Sequence, residues 1–276
     1  MKIRPVVKLI PPVLLILTVS GLGLAKTFLG SFGLWNDVGI SHASLSGYHQ
    51  ISSSAVSAIL LSISLATIST LLAAVLGLVI AYEIHMAYRF SRTLVVITGL
   101  IVVTPHLVAA VSFNFLLGDA GFLARYFHSF FPSWPQFVAG PLWLGVIFDF
   151  AWKESAFIAL VLLASIPAEV RDLQFAARTL GAKPLQVATR VLLPSVKFSL
   201  VISSSLAFIY SIGSYEVTWL LGRTYPEPLA NMTFRLFSKS DLSQRPAAYA
   251  SAVLSIALIA FIGVTITFFL PKKSQR

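Results

Sequence analysis

Ionisable side chains stand inside long apolar segments of this sequence, where few kinds of chemistry are open to them. A charged side chain at the centre of a bilayer costs roughly 2.5–3.5 kcal/mol on insertion scales, so each should face a polar cavity or a polar partner. These positions are therefore candidates for lining a path across a membrane. They are His106, Asp149, Lys153, Glu154 and Glu216, with Ser214 close to the last of them.

The spacing of these residues leaves two interpretations open. Asp149 and Lys153 are four residues apart on one helical face and could pair, whereas Glu154 points about 100° away around the helix axis. Glu154 and Glu216 would then line a pathway that favours cationic solutes, or would instead bond neighbouring helices or lie close to the outer interface. His106 could contact solute, or could bond the carbonyl group that the proline before it frees.

The composition indicates a membrane protein and excludes several function classes. Hydrophobic residues make up 57% of the chain and charged residues 11%, against about 25% charged in an ordinary soluble domain. The net charge of +10 comes from basic residues spread between apolar runs, not gathered on one stripe as in a nucleic-acid-binding protein. The sequence has no cysteine, and it offers no nucleophile–base pair, metal-ligand cluster or phosphate-binding glycine loop. We expect a non-catalytic protein with no cofactor or metal of its own.

Six apolar segments are long enough to cross the hydrocarbon core, which takes about 20 helical residues. Lysine and arginine are about twice as frequent in the inside segments if the N-terminus is cytoplasmic, and this asymmetry predicts that orientation. The even number of spans puts the C-terminus inside as well. We therefore predict an all-α membrane protein that forms a single transmembrane domain over residues 1–276. The predicted spans are 8–29, 55–81, 93–117, 141–165, 198–221 and 247–270.

The inside loop between predicted spans four and five, residues 166–197, has a helical pattern of its own. Apolar residues at helical spacing run through its first half, and Gly181 is placed to end that helix in a left-handed conformation. Pro184 suits the first turn of a second helix, and Pro194 is expected to end that helix before span five. The apolar residues of the first helix are Leu173, Ala176, Ala177 and Leu180.

The residues of this loop and their spacing resemble the signature of bacterial ABC importer permeases. That signature reads Glu-Ala-Ala, three residues, Gly, nine residues, an isoleucine-like residue, any residue, then Leu-Pro. Phe175 stands at the position of the family's glutamate, so this chain lacks that carboxylate. The matching residues are Ala176, Ala177, Gly181, Val191, Leu193 and Pro194.

The resemblance implies a permease with the type I importer fold in the bacterial inner membrane, whose loop is a coupling helix against a separate ATPase. It also implies two cytoplasmic ABC ATPases that hold ATP and Mg²⁺, a second permease subunit, identical or homologous, and an external solute-binding protein. The outer loops would meet that binding protein. The loop residues expected to couple to the ATPase are Ala176, Ala177, Gly181, Pro184, Leu185, Arg190, Leu193 and Pro194. Those expected along the translocation path are His106, Asp149, Glu154, Ser214 and Glu216.

Three shorter segments are similar to one subgroup of these permeases, which serves polyamine, opine, phosphonate, thiamine, iron and related systems. This similarity does not choose among those substrates, because selection resides largely in the separate binding protein. The three segments are Thr104-Pro105-His106, Trp152-Lys153-Glu154 and Gly213-Ser214-Tyr215-Glu216-Val217.

Two other classes of protein remain open. An ion-coupled secondary transporter would use Asp149, Glu154 and Glu216 as proton or cation sites, and its transport would collapse with the ion gradient. A non-transporting membrane scaffold or enzyme subunit would show no substrate-dependent ATPase activity in any assembly. Neither class explains the spacing of residues in the loop.

Overall fold

The computed structural model describes residues 5–35, 42–87, 90–127, 130, 133–167 and 169–269. Within these ranges the chain forms helices and no β-strand, which confirms the predicted all-α class. A π-helical turn at Ala188–Leu192 and a 3₁₀ turn at Leu242–Gln244 complete the helical structure. The α-helices are α1 Pro5–Ser31, α2 Ser46–Met86, α3 Ser91–Val103, α4 His106–Leu117, α5 Phe122–Tyr126, α6 Leu144–Ser165, α7 Glu169–Thr179, α8 Pro184–Val187, α9 Leu193–Gly213, α10 Glu216–Leu221, α11 Leu229–Ser238 and α12 Arg245–Phe269.

Five helical segments in the described part of the chain are long and apolar enough to cross a membrane. The predicted fourth span corresponds to α6, which is 22 residues long but carries three ionisable residues and is not among the five. Six spans with both termini inside therefore stay a prediction, and both termini lie outside the described residues. The five segments are Leu9–Ser31, Ser46–Met86, His106–Tyr126, Pro184–Gly213 and Leu242–Ile266.

The predicted third span, 93–117, is not one helix. The chain leaves helical geometry at Thr104, where ψ is 124°, and Pro105 is the N-cap of α4. A proline has no N–H to donate, and it disfavours the helical conformation in the residue before it. The predicted span therefore consists of two helices, and the break leaves carbonyl groups at the end of α3 that need other donors.

The predicted fifth span, 198–221, is also divided. Its first helix, α9, ends at Gly213, and Ser214 has an extended ψ of 120° before α10 begins at Glu216. The irregularity lies where a glycine and a serine follow one another inside an apolar run. Two of the proposed pathway residues, Ser214 and Glu216, therefore sit at a helix break.

The centre of the structure is the contact between α2 and α6. Small residues bring these helices close together: Ala66 and Ala73 are fully buried, and a Cβ added at Gly77 would lie 2.8 Å from the side chain of Ile158. Close approach of this kind is typical of helix pairs in membranes. The pair fixes the position of the ionisable residues that α6 carries.

The segment before α6, 118–140, and the segment after α10, 223–246, are both predicted to be outer loops, and they meet in the structure. The backbone N–H of Ala139 donates to the carbonyl oxygen of Leu221 at 2.9 Å, and the ring of Trp143 packs over Gly222. The structure therefore puts these segments at the same end of the molecule, as the predicted topology requires.

Candidate functional site

The loop after α6 has the predicted helix break at Gly181. Gly181 has a φ of +83°, and a Cβ added there would meet no atom within 4 Å, so backbone conformation alone favours glycine. The N–H of Gly181 donates to the carbonyl of Arg178 at 2.9 Å, and that of Ala182 donates to the carbonyl of Ala177 at 3.0 Å. This pair of bonds is a Schellman motif, which satisfies the last carbonyls of α7.

The second half of the loop starts as predicted and ends differently. Pro184 occupies the first turn of α8, and the backbone N–H of Lys183 donates to Gln186 Oε1 at 2.8 Å. The helical run then continues through the π-helical turn, where the N–H of Leu193 donates to the carbonyl of Ala188. Pro194 lies in the first turn of α9, so the prediction that it ends the helix is wrong. Pro194 has no N–H to donate, and the hydrogen bonds of the π-helical turn before it do not require one at this position.

The inner face of the loop is anchored to the helix bundle. Arg178 Nη2 donates to the hydroxyl of Tyr82 on α2 at 2.8 Å. Val170 of α7 and Val187 of α8 are buried in one hydrophobic cluster with Tyr82 and Leu162 of α6. The loop is thus packed on α2 and on α6, the helix that carries Asp149, Lys153 and Glu154.

The outer face of the loop is apolar and exposed. Leu180 is 88% exposed, Leu185 74% and Phe175 51%, and Arg190 is also exposed. The predicted apolar stripe of α7 therefore faces away from the protein, apart from Ala177, which is half-buried. An apolar patch edged by charged residues is typical of a surface that another protein covers.

A cavity of about 230 Å³ lies between α3, α4, α6 and α9. Four polar side chains reach it, and the rest of its wall is apolar: Phe157, Leu206 and Ala207 contribute side chains there. The structure thus brings together two of the five predicted pathway residues, His106 and Glu154. The polar lining residues are His106, Lys153, Glu154 and Tyr210.

The ammonium group of Lys153 donates hydrogen bonds to the carbonyl groups at the helix break in the third predicted span. Its Nζ donates to the carbonyl oxygens of Ile101 at 3.0 Å and Val102 at 3.1 Å, and also to that of Thr104. The predicted pair between Asp149 and Lys153 is therefore wrong, because the lysine bonds the carbonyls that Pro105 frees. A cation at a helix C-terminus also complements the helix dipole.

His106 does not take the freed carbonyls either. Its ring lies against that of Tyr210, with the centroids 4.3 Å apart, and its Nδ1 is buried with no hydrogen-bond partner among the described residues. Glu154 is 7% exposed, and no hydrogen bond to its carboxylate occurs in the described ranges. Apart from the Lys153 ammonium, whose three donors are occupied, the polar groups that face this cavity are therefore a carboxylate, an imidazole and the Tyr210 hydroxyl.

The remaining predicted pathway residues lie elsewhere. Asp149 is completely buried on α6, and neither of its carboxylate oxygens has a partner in the part of the chain that the structure describes. Ser214 is buried, and its backbone N–H donates to the carbonyl of Tyr210 at 2.9 Å. Glu216 is half-buried in the first turn of α10. None of the three lines the cavity at Glu154.

Known proteins share both the sequence pattern and the fold of this chain. The inner membrane ABC transporter permease protein YnjC of Escherichia coli K12 is 31% identical over 202 residues, which cover 71% of this chain and 38% of YnjC. The molybdenum transport system permease protein ModB of Haemophilus influenzae is 26% identical over 243 residues, covering 80% of this chain and 95% of ModB. The chain thus spans well under half of YnjC and nearly all of ModB.

A solved structure gives the same fold at low sequence identity. A bacterial alginate ABC transporter, in complex with an alginate pentasaccharide-bound periplasmic protein, contains a chain that superimposes with a TM-score of 0.74. The identity is 18%, and the match covers 95% of this chain and 92% of that chain. The likeness extends over the cavity and the loop alike.

The family assignment rests on most of the sequence. A family model described as the binding-protein-dependent transport system inner membrane component matches residues 73–275, a range that includes α6, the loop and both helix breaks. The type I importer fold and the apolar helices agree with a multi-pass protein of the inner membrane. This chain therefore belongs to the family of binding-protein-dependent transport system inner membrane components, the permeases of ABC transporters.

Proposed function

We propose that this chain is the permease subunit of an ATP-driven importer that depends on a solute-binding protein. Residues 1–276 form one permease domain with six spans and both termini in the cytoplasm. The observation that carries the proposal is the loop after α6, whose inner face is packed on the helices and whose outer face is apolar and exposed. The fold shared with the alginate transporter supports it.

The chain contributes the pathway and not the hydrolysis of ATP. Two cytoplasmic ABC ATPases bind ATP and Mg²⁺, and a second permease subunit, identical or homologous, supplies the other half of the pathway. An external solute-binding protein delivers the solute to the outer loops. The alginate transporter structure, which is a complex with a periplasmic protein, supports the last of these partners.

The loop couples the ATPase to the helices because it is a stiff element with two ends fixed. The Schellman motif at Gly181 and the side-chain bond at Gln186 hold its two short helices in one arrangement. The Arg178–Tyr82 bond and the buried Val187 pass its displacement to α2 and α6. The residues proposed to act in coupling are Ala176, Ala177, Gly181, Pro184, Leu185, Arg190, Leu193 and Pro194.

Phe175 changes the chemistry of the ATPase contact. It replaces a carboxylate with an exposed aromatic ring, 51% accessible in the isolated chain. An exposed ring gains free energy when a partner covers it, whereas a carboxylate needs a charged or donor partner. The ATPase that fits this permease therefore presents an apolar surface at that position.

The cavity at Glu154 is the proposed solute contact along the pathway. Its polar groups other than the fully bonded Lys153 ammonium are the Glu154 carboxylate, the His106 imidazole and the Tyr210 hydroxyl, so it favours a solute with hydrogen-bond donors, including a cationic one that the carboxylate can pair with. A polyamine- or thiamine-type solute fits this chemistry, and phosphonate- or iron-type solutes are the other members of the proposed class. Relatives named for molybdenum transport add an oxyanion to the solutes that should be tested.

The test is co-purification of this chain with the ATPase and the second permease encoded nearest to it. Gly181→Val should lose the ATPase, because a β-branched residue does not adopt the left-handed conformation. Gly181→Asn is the matched control and should keep the ATPase, because asparagine tolerates that conformation. The proposal fails if no ATPase co-purifies with the wild type, or if both variants bind it equally.

An ion-coupled secondary transporter is the alternative class; the family match does not favour it, and one buried carboxylate is the feature that it would need. Asp149 is completely buried without a partner among the described residues, as a proton-carrying carboxylate would be. Uptake by vesicles would then collapse with the ion gradient and would need no ATP. ATP-dependent uptake that persists after the gradient is removed would exclude this candidate.

A further inference from the structure

A second polar cavity lies at the end of the molecule where the two predicted outer segments meet. It has a volume of about 400 Å³, and it lies apart from the loop and from the cavity at Glu154. Residues 136–141, which precede α6, form one wall, and the residues after α10 form the other. The lining residues are Gln136, Ala139, Pro141, Arg223, Thr224 and Tyr225.

The walls of this cavity are held in place by contacts that leave little freedom. The N–H of Ala139 donates to Leu221 at 2.9 Å, immediately before the residues that line the other wall. Trp143 is 4% exposed, and its ring covers Gly222 so closely that an added Cβ there would lie 2.1 Å away. Ala139 and Trp143 both have a φ near +55°, which a non-glycine residue keeps only where its surroundings fix it.

The charge in this cavity is positive and unbalanced. The guanidinium of Arg223 makes no ion pair or hydrogen bond within the described ranges, and no aspartate or glutamate lines the cavity. The nearest acid on the same segment, Glu227, is bonded by Arg235, with Nε 3.0 Å from Oε1 and 3.1 Å from Oε2. That pair is neutral as a whole, so Arg223 determines the local charge.

The other polar groups in the cavity are donors. The side chains of Gln136, Thr224 and Tyr225 offer an amide and two hydroxyl groups, and none of them is engaged by another side chain in the part of the chain described. Arg223 and Thr224 also line a neighbouring cavity of about 310 Å³, next to Trp219. A guanidinium surrounded by neutral donors is the arrangement that recognises oxygens of an anion.

We propose that the cavity at Arg223 binds a small tetrahedral oxyanion, of the sulfate or phosphate class. Arg223 supplies the charge and a bidentate donor, and the hydroxyl and amide groups bond the remaining oxygens. One guanidinium gives weak binding that depends on ionic strength. Resting on the proposed function, the site would select the oxyanionic members of the proposed solutes, such as a phosphonate-type solute, at the outer mouth; it would not help a cationic solute of the kind that the Glu154 carboxylate attracts.

The test is equilibrium binding of radiolabelled sulfate to the purified full chain in detergent, with ionic strength held constant by chloride. We expect saturable binding that unlabelled phosphate displaces and chloride does not. Arg223→Gln should weaken binding about tenfold or more, because it removes the charged bidentate donor. Arg125→Gln is the matched control, since Arg125 is exposed on a predicted outer segment and lines neither cavity.

Three results would overturn the proposal. The first is sulfate binding that is unchanged in Arg223→Gln, and the second is binding that chloride displaces as readily as phosphate does. A third experiment offers unlabelled acetate as the competitor of radiolabelled sulfate. Displacement by acetate alone would also overturn it and would point to an acidic side chain of a docked protein. Because the assay needs no ATPase, its failure is distinct from a failure of the co-purification test.

Discussion

Replacing Lys153 with methionine tests whether its ammonium group stabilises the break between α3 and α4. The lysine is 3% exposed and donates to three carbonyl groups that have lost their helical donors. Methionine keeps most of the apolar stem and removes the charge, so the packing of the stem changes little. The carbonyls of Ile101, Val102 and Thr104 are then left without this donor.

The expected cost follows from two opposing effects. Leaving a buried carbonyl without a partner costs about 1–3 kcal/mol, and three are affected here. Removing a buried ammonium relieves a desolvation penalty of several kcal/mol, and water in the adjacent cavity of about 230 Å³ can bond some of the carbonyls. We expect a net loss of about 2 kcal/mol, which lowers Tm by about 4–8 °C.

The assay is thermal unfolding in detergent, with hydrogen exchange at the Thr104 amide as a local measurement. That amide donates to the carbonyl of Leu100 at 3.1 Å in the last turn of α3, so it should exchange faster when the turn frays. Lys197→Met is the matched control, because Lys197 is exposed on α9 and makes no bond in the ranges described. If both variants melt together and the Thr104 amide exchanges at the wild-type rate, Lys153 does not hold the helix end.

Two further substitutions test the packing of the bundle and its link to the loop. Gly77→Leu should destabilise the protein by about 1–3 kcal/mol, because even its Cβ would meet the side chain of Ile158. Gly99→Leu should melt near the wild-type temperature, because a Cβ at Gly99 would meet no atom within 4 Å. Equal melting temperatures would contradict the close approach of α2 and α6. Tyr82→Phe removes the hydroxyl that accepts a hydrogen bond from Arg178 at 2.8 Å. The ATPase should stay bound, while solute-stimulated ATP hydrolysis in proteoliposomes should fall severalfold. Unchanged stimulation would show that this hydrogen bond does not take part in coupling.

The membrane class and the loop could be predicted because they depend on local rules. An apolar segment of about 20 residues can be recognised within one continuous stretch of sequence. The left-handed conformation at Gly181 follows from a glycine after a helical pattern, and the structure confirms it. The start of a helix at Pro184 depends on the same kind of rule.

The role of Lys153 could not be predicted because its partners lie about 50 residues away on another helix. From sequence, the only visible partner was Asp149 at helical spacing, and that pair is absent. The sequence did contain the necessary signal in Pro105, since a proline inside an apolar run frees carbonyls that some donor must bond. Which donor reaches them is decided by the packing of α3 against α6, which no local pattern encodes.

The prediction that Pro194 ends a helix is wrong for a related reason. A proline after a short helix usually marks its end, but here the π-helical turn lets the helical run continue from Pro184 to Gly213. The rule fails because it considers only the missing N–H and not the hydrogen bonds of the turn before it. Local geometry three to five residues upstream decides whether a proline ends a helix or begins one.

The length of α2 has a mechanical consequence. With 41 residues it is about 60 Å long, roughly twice the hydrocarbon thickness, and it contains no break like those that divide the third and fifth predicted spans. Tyr82 near one end contacts the loop, while Gly47 near the other packs against Pro246. A helix of this kind is a lever arm: a rotation of about 5° at the loop displaces the far end by about 5 Å. If an ATPase moves the loop as proposed, α2 would carry that movement to the other end of the molecule, and the two divided spans are the places where the bundle would bend.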